Sequence, residues 1–297
     1  MNKINIILSK LKLYLEANFL HINIKKSKYM HFKTPRQTTR NDLDVDIRFG
    51  NTPLQKVESI KFLGVIVDER MSWKKHTQYV TCKVRSSICS LYDMRRVIPK
   101  KLKNSVYNAI VNSQLSYGIS VWGSYAITDN INPLFILQKR ALRNLFCIRK
   151  VSKFVKGHTK LTFSKHGILS VYNIYNYMTI LSIDKLFKLK EPQYLNKLLN
   201  LNCDGDRRNN RISHIPKFKC SHYQGNYCYQ GPYLWNLMAS NARICNETTS
   251  SPSINVMKTR LKKFLLKMQS HGKNENDDTW YKFNHSPELY IHQIKGK

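Results

Sequence analysis

The hydrophobic period of this chain changes at Trp73, and that change limits the folds open to it. Between His21 and Val67 apolar residues alternate with polar ones, as strands require: Ile22 and Ile24, Met30 and Phe32, Val45, Ile47 and Phe49, then the β-rich stretch Val57–Val67. Beyond Trp73 they recur every three or four positions: Val80, Val84, Ile88 and Leu91, then Leu102, Val106 and Ile110, then Leu134, Leu137, Ala141 and Leu145. A strand-period block followed by successive helical stripes predicts an α+β chain.

The punctuation agrees with the period. A first helix is predicted over Ile4–Phe19, where Ile7, Leu8, Leu11, Leu15 and Phe19 recur at helical spacing. Thr34–Asn41 is polar with a proline and reads as a loop, and Gly50-Asn51 reads as a turn. Gly64 sits between the two halves of a hairpin over Val57–Val67. Later helices are predicted from Trp73 up to Pro99, over Lys101–Gly118, Asn132–Ile148, Ile168–Leu189 and Val256–Gln269. Val151–His158 reads as a basic linker, Asn200–Tyr229 as loop-rich, and His271–Thr279 as a polar tail. Neither an internal repeat nor a glycine-rich phosphate loop is present.

Charge narrows the function classes. The chain carries 50 Lys and Arg against 18 Asp and Glu, a formal net charge of +32 over 297 residues. A folded protein this basic repels itself unless it meets a polyanion, so nucleic acid is the leading partner. A/T-rich codon usage, visible in the abundance of Lys, Asn, Ile and Tyr, is the competing source of lysine, yet it does not account for the scarcity of acids. At 42% hydrophobic residues the chain can build cores and is not a disordered tail. No apolar run approaches the roughly 18 residues of a membrane span. The seven cysteines are odd in number and scattered, which fits reduced thiols and an intracellular setting, nuclear or cytoplasmic.

Two blocks carry a family resemblance. Asn18–Phe32 contains Asn23-Ile24-Lys25-Lys26-Ser27, similar to the Asn-x-x-Lys-Ser/Thr signature that follows the catalytic aspartates in non-LTR retrotransposon reverse transcriptases. Ile60–His76, with Phe62-Leu63-Gly64-Val65 and Ser72-Trp73-Lys74-Lys75-His76, resembles the primer-grip hairpin of the same enzymes. The likeness continues through Tyr117-Gly118…Trp122-Gly123, through Gln138-Lys139-Arg140-Ala141-Leu142-Arg143, and through Gly231-Pro232-Tyr233-Leu234-Trp235-Asn236-Leu237, an element of Jockey-like and RTE-like polymerases. Tyr14 stands where tryptophan is common, and Met238 where proline is usual.

The resemblance implies a remnant of the polymerase palm over about 1–70, a helical thumb over about 71–150, a mainly helical region over 158–270 and a polar tail over 271–297. It places the aromatic-x-Asp-Asp hairpin upstream of residue 1, so the expectation is a truncated RNA-directed DNA polymerase, inactive alone. Such a chain would still bind an RNA/DNA template-primer and would work with the missing upstream segment. Mg²⁺ belongs to the complete polymerase, and neither a cofactor nor a metal site is expected in this chain. The residues implied in nucleic-acid contact are Lys26, Lys61, Phe62, Leu63, Gly64, Lys74, Lys75, Lys139, Arg143 and Lys150. Lys26 is the candidate auxiliary cation, because a positive charge offsets the charge that builds on leaving pyrophosphate. Gly64 lets a tight turn approach the primer backbone. Two other readings stay open: a basic nucleic-acid-binding protein with no polymerase role, and a non-functional transposon relic.

Other constellations are poorer. Asp42, Asp44 and Asp46 would share one strand face but read as a solvated acidic run. Asp277-Asp278 lies in a polar tail without flanking strands. His214, Cys220, His222 and Cys228 lack zinc-ligand spacing. Tyr223, Tyr227, Tyr229 and Tyr233, in a loop-rich basic region, are the best candidates for stacking on bases.

Overall fold

The computed structural model describes residues 3–33, 46–124, 131–148, 158–189, 192–199, 226–239 and 253–270. The chain forms two compact units, Met1–His76 and Thr77–Lys297. Helix dominates and the strands are few and short, the mixture expected of an α+β chain.

The first unit opens with helix α1 (Lys3–Ala17). Asn5 ties it to the strand that follows: its amide donates to the Asp46 carbonyl at 3.0 Å and accepts from the Arg48 N–H at 3.1 Å. Short strands follow as β1 (Lys28–Tyr29), β2 (Arg48–Phe49), β3 (Thr52–Pro53), β4 (Gln55–Lys56), β5 (Ser59–Phe62) and β6 (Val65–Asp68). β1 pairs with β4 in parallel, β2 with β3 antiparallel, and β5 with β6 antiparallel. The extended reading of His21–Phe32 shrinks to β1. Asn23 folds the preceding residues into a 3₁₀ turn, its side chain accepting from the Lys26 N–H, while the Ser27 hydroxyl returns to the Asn23 carbonyl.

The second unit is helical among its described residues. Helix α2 (Lys74–Met94) leads into it. A helical run over 100–116 then comprises a 3₁₀ turn, α3 (Lys103–Tyr107), a π turn (Asn108–Asn112) and α4 (Ser113–Ser116). Next come α5 (Ile119–Trp122), α6 (Asn132–Leu145), α7 (His158–Lys165), α8 (Val171–Leu189), α9 (Gln193–Leu198), α10 (Tyr227–Ala239) and α11 (Ile254–Ser270). Helix α8 is buried over most of its surface, including Val171, Tyr175, Ile180 and Ile183, with Lys185 and Leu189 exposed, and it packs against α4, α5, α6, α10 and α11. That burial pushes the Tyr175 hydroxyl up to about 12.

Two glycines of the sequence motifs sit where a Cβ has no room, Gly123 against its own preceding turn and then α8, and Gly231 against α8. A Cβ on Gly123 would sit 2.5 Å from the Ile119 carbonyl oxygen and 3.0 Å from the Tyr175 ring. A Cβ on Gly231 would sit 2.9 Å from Ile183 Cδ1. Trp122 closes the same motif by donating its indole N–H to the Tyr117 carbonyl at 2.9 Å, across the left-handed Gly118. The region read as loop up to Tyr229 is already helical at Tyr227. That ring packs inward, its hydroxyl 2.6 Å from Ser182 Oγ, while Tyr229 and Tyr233 stack on each other within α10. Tyr223 lies outside the described residues.

The predicted helix over Ile168–Leu189 begins three residues late, and the reason is polar. The Gln138 amide donates to the Tyr107 hydroxyl at 2.8 Å and to the Leu169 carbonyl at 2.9 Å, and its oxygen accepts from the Val171 N–H at 2.8 Å. Gln269 does the same from α11: it donates to the Ile168 carbonyl and accepts from the Ser170 N–H. Both side chains are buried. We expect Gln138→Leu and Gln269→Leu each to lower unfolding stability by about 2–4 kcal/mol, since each strands buried backbone groups that cost roughly 1–3 kcal/mol apiece. Denaturant titration checks this, and an unchanged midpoint in either variant would show the amides to be dispensable.

Candidate nucleic-acid interface

Within the first unit, the β5–β6 hairpin pairs Ser59 with Asp68, Ile60 with Val67, Lys61 with Ile66 and Phe62 with Val65. Only Leu63 and Gly64 remain for the turn, and both have positive φ, +45° and +85°. This is the mirror-image two-residue turn that matches strand twist, in which Asn-Gly is the usual pair. Glycine adopts it freely and leucine does not, at a cost of about 1–2 kcal/mol. Leucine is held here although its side chain gains little burial: Leu63 is 76% exposed and Phe62 63%. The hairpin tip is therefore an exposed apolar pair on a strained turn, outside the core.

The base of the hairpin is built as firmly as the tip is open. Buried Asp68 accepts from the N–H groups of Arg70 and Ser72 with Oδ1 and of Trp73 with Oδ2, at 3.2, 3.0 and 2.9 Å. These bonds hold Met71 and Trp73 at φ +52° and +61° and set Trp73, itself buried, at the start of α2. His76 completes the joint, its Nδ1 accepting from the Ile66 N–H at 3.1 Å. The sequence motif Ser72-Trp73-Lys74-Lys75-His76 is therefore the anchor of the hairpin. Lys75 belongs to this base: its ammonium lies 3.0 Å from Ser59 Oγ and 3.9 Å from the Glu58 carboxylate. Lys61 and Lys74 are exposed, and Lys26 projects from the Asn23-capped turn.

In the second unit, Lys139 and Arg143 share α6 but not one environment. The Lys139 ammonium sits over the Phe135 ring, 4.6 Å from its centre. Arg143 is half-buried and lines a cleft with Arg140, Asn144 and Ile148. Lys150 lies outside the described residues, as do Asp42, Asp44, Asp277 and Asp278. Asp46 is exposed and paired with Arg48 at 2.6 Å. Of the cysteine–histidine group only Cys228 is described, half-buried in α10.

Ile148 also lines a larger cleft, of about 730 Å³, that the motif reading missed. Lys100, Lys103, Phe146, Lys165 and His166 share its wall. Phe146 and His166 stack face to face with ring centres 3.5 Å apart. Burial, then the neighbouring Lys165 charge, holds the His166 imidazole below its usual range. Lys103 is buried and donates to the Leu145 carbonyl at 2.6 Å, at the C-terminal end of α6. The sequence signals available were the lysines after Pro99 and the Lys165-His166 pair, neither of which matches a motif.

Two transposon proteins are similar to this chain. It is 24% identical over 125 residues to the "Probable RNA-directed DNA polymerase from transposon X-element" of Drosophila melanogaster. It is 27% identical over 124 residues to the "Probable RNA-directed DNA polymerase from transposon BS" of the same organism. Each match covers 41% of this chain and 13% of the relative's length. No family model and no solved structure matches.

The hairpin tip can be tested by separating stability from contact. Leu63→Asn should raise the unfolding free energy by about 1 kcal/mol, because asparagine tolerates the left-handed turn. The same substitution should weaken binding to a template–primer duplex. Asparagine that stabilises the protein and leaves binding intact would make the exposed leucine irrelevant to contact. Gly64→Val should do the reverse to stability, straining the turn that Gly64 permits.

Proposed function

We propose that this chain is the template–primer-holding part of a non-LTR retrotransposon reverse transcriptase. The β5–β6 hairpin acts as the primer grip of a palm remnant, and the helices after Trp73 act as thumb and C-terminal region. The observation that carries this is the hairpin tip, where Phe62 and Leu63 stand exposed on a strained turn beside Lys61. The distant similarity to transposon RNA-directed DNA polymerases and the charge of +32 support it. Lys26, Lys61, Phe62, Leu63, Gly64, Lys74, Lys75, Lys139, Arg143 and Lys150 are the proposed contacts, made with the sugar–phosphate backbone rather than base edges.

Polymerisation itself needs two divalent cations held by clustered carboxylates. Among the described residues no group of His, Cys, Asp and Glu could hold a metal ion. Under this reading the Asp-Asp hairpin comes from an upstream polymerase segment and brings Mg²⁺ with it. Among the described residues no helix is long and apolar enough to cross a membrane.

Binding to RNA–DNA and duplex oligonucleotides should show little sequence preference and fall steeply with salt, by about −0.9 in log K per log salt for each phosphate neutralised. A salt titration with a flat response would sink this reading. The chain alone should extend no primer with Mg²⁺ or Mn²⁺, and extension should appear when a segment bearing the aromatic-x-Asp-Asp hairpin is supplied. Template-directed addition by residues 1–297 alone, lost on mutating Asp42, Asp44 and Asp46, would show that the catalytic carboxylates lie in that acidic run.

A further inference from the structure

We propose that the cleft between the 100–103 turn, the end of α6 and α7 binds one nucleotide of a single strand, with its phosphate on Lys100, Lys103 and Lys165 and its base on the Phe146–His166 pair. The inference rests on the nucleic-acid reading above and adds to it a second site and a strand preference.

Three observations converge on the cleft. The first is charge. Among the described residues its wall carries three lysines and no carboxylate. Lys103 is 9% exposed, and among the described residues its one partner is the Leu145 carbonyl, so its positive charge is buried without a counter-ion. Burying such a charge is costly unless an anion pairs with it. The stretch that joins Ile148 to His158 cannot provide one, since it contains Arg149, Lys150, Lys153 and Lys156 and no acid. Lys100 and Lys165 are exposed and free to reach a phosphate from the rim.

The second observation is the aromatic plate. Phe146 and His166 are stacked at an interplanar angle of 19°, both are only half-buried, and both line the cleft, where a further planar group can meet the pair. Burial and the Lys165 charge hold the His166 imidazole below its usual range, which favours its neutral form as a stacking surface. The backbone under the plate is fixed: Asn104 donates to the His166 carbonyl at 3.3 Å, and the Phe146 N–H bonds the Leu142 carbonyl at 3.0 Å.

The third is size. About 730 Å³ lies within the roughly 300–1,000 Å³ of small-ligand sites, room for a nucleotide but not for a duplex. A paired base keeps both faces inside its own stack, whereas an unpaired base can lie on an aromatic ring. The cleft therefore favours single strands, while contact with duplex rests on other surfaces.

The test compares two variants of equal charge. Lys100→Glu/Lys165→Glu alters the cleft rim, and Lys258→Glu/Lys262→Glu alters exposed residues of α11. All four positions are exposed, and melting curves confirm folding. Binding of a short oligothymidylate and of a blunt duplex is followed by fluorescence anisotropy. The cleft variant should lose about tenfold in single-strand affinity beyond the α11 variant, with duplex binding reduced equally in both. Oligothymidylate carrying 5-iodouracil should crosslink on irradiation to the peptide that holds Phe146 or His166. Equal single-strand affinities in the two variants, or crosslinks confined to other peptides, would overturn the cleft while leaving the duplex reading standing. Wild-type protein that binds neither probe would overturn both. Inorganic phosphate that binds in the cleft without any crosslink there would make it a small-anion site and overturn the nucleotide assignment.

Discussion

The backbone of Ile168–Val171 enters the core of the helical unit without a helix to satisfy it, and two glutamines replace the missing partners. Gln138 from α6 and Gln269 from α11 each offer one donor and one acceptor, the pair that a neighbouring backbone would present. An unpaired buried amide costs about as much as a large fraction of a domain's net stability. The arrangement is therefore coupled: α6, α11 and the start of α8 are correct together or not at all. Helix α8 is the element on which α4, α5, α10 and α11 pack, so the positions of the second unit's surfaces follow from those two side chains.

The same logic, a buried polar side chain serving backbone N–H groups, holds the β5–β6 hairpin of the first unit. Asp68 fixes three amides and keeps two non-glycine residues in left-handed conformations. A hairpin of four paired positions on its own is marginal in water. Anchored at its base by Asp68, Trp73 and His76, it can hold strained, apolar residues at its tip. Rigidity at the base and exposure at the tip are the two properties that the proposed primer grip calls for.

Much of this was legible. Alternation announced the hairpin and its glycine, and helical stripes announced α1, α2, α6 and α11 to within a few residues. The run Lys101–Gly118 read as one helix with Leu102, Val106 and Ile110 as its apolar stripe, yet it contains a π turn and buries Tyr107, Val111 and Leu115 instead, leaving Leu102 exposed. The motifs Tyr117-Gly118…Trp122-Gly123 and Gly231-Pro232 were legible as patterns but not wholly as reasons: Gly123 answers first to the nearby Ile119 and then to Tyr175, and Gly231 to Ile183, distant in sequence. Lys103 looked like any lysine after a proline. Its burial against the Leu145 carbonyl, forty-two residues away, depends on how α3 meets α6.

Although it held no sign of α7, α9 or α10, the sequence by itself determined the α+β class, the long helices α1, α2, α6, α8 and α11, the sign and size of the charge, and the hairpin with its turn. These are local or additive quantities, fixed by residue type and spacing. The tertiary structure decided which cations share a wall, which aromatic rings stack, and which polar side chains stand in for backbone. Those depend on contacts between residues far apart along the chain, where a single distance separates a solvated lysine from a buried one.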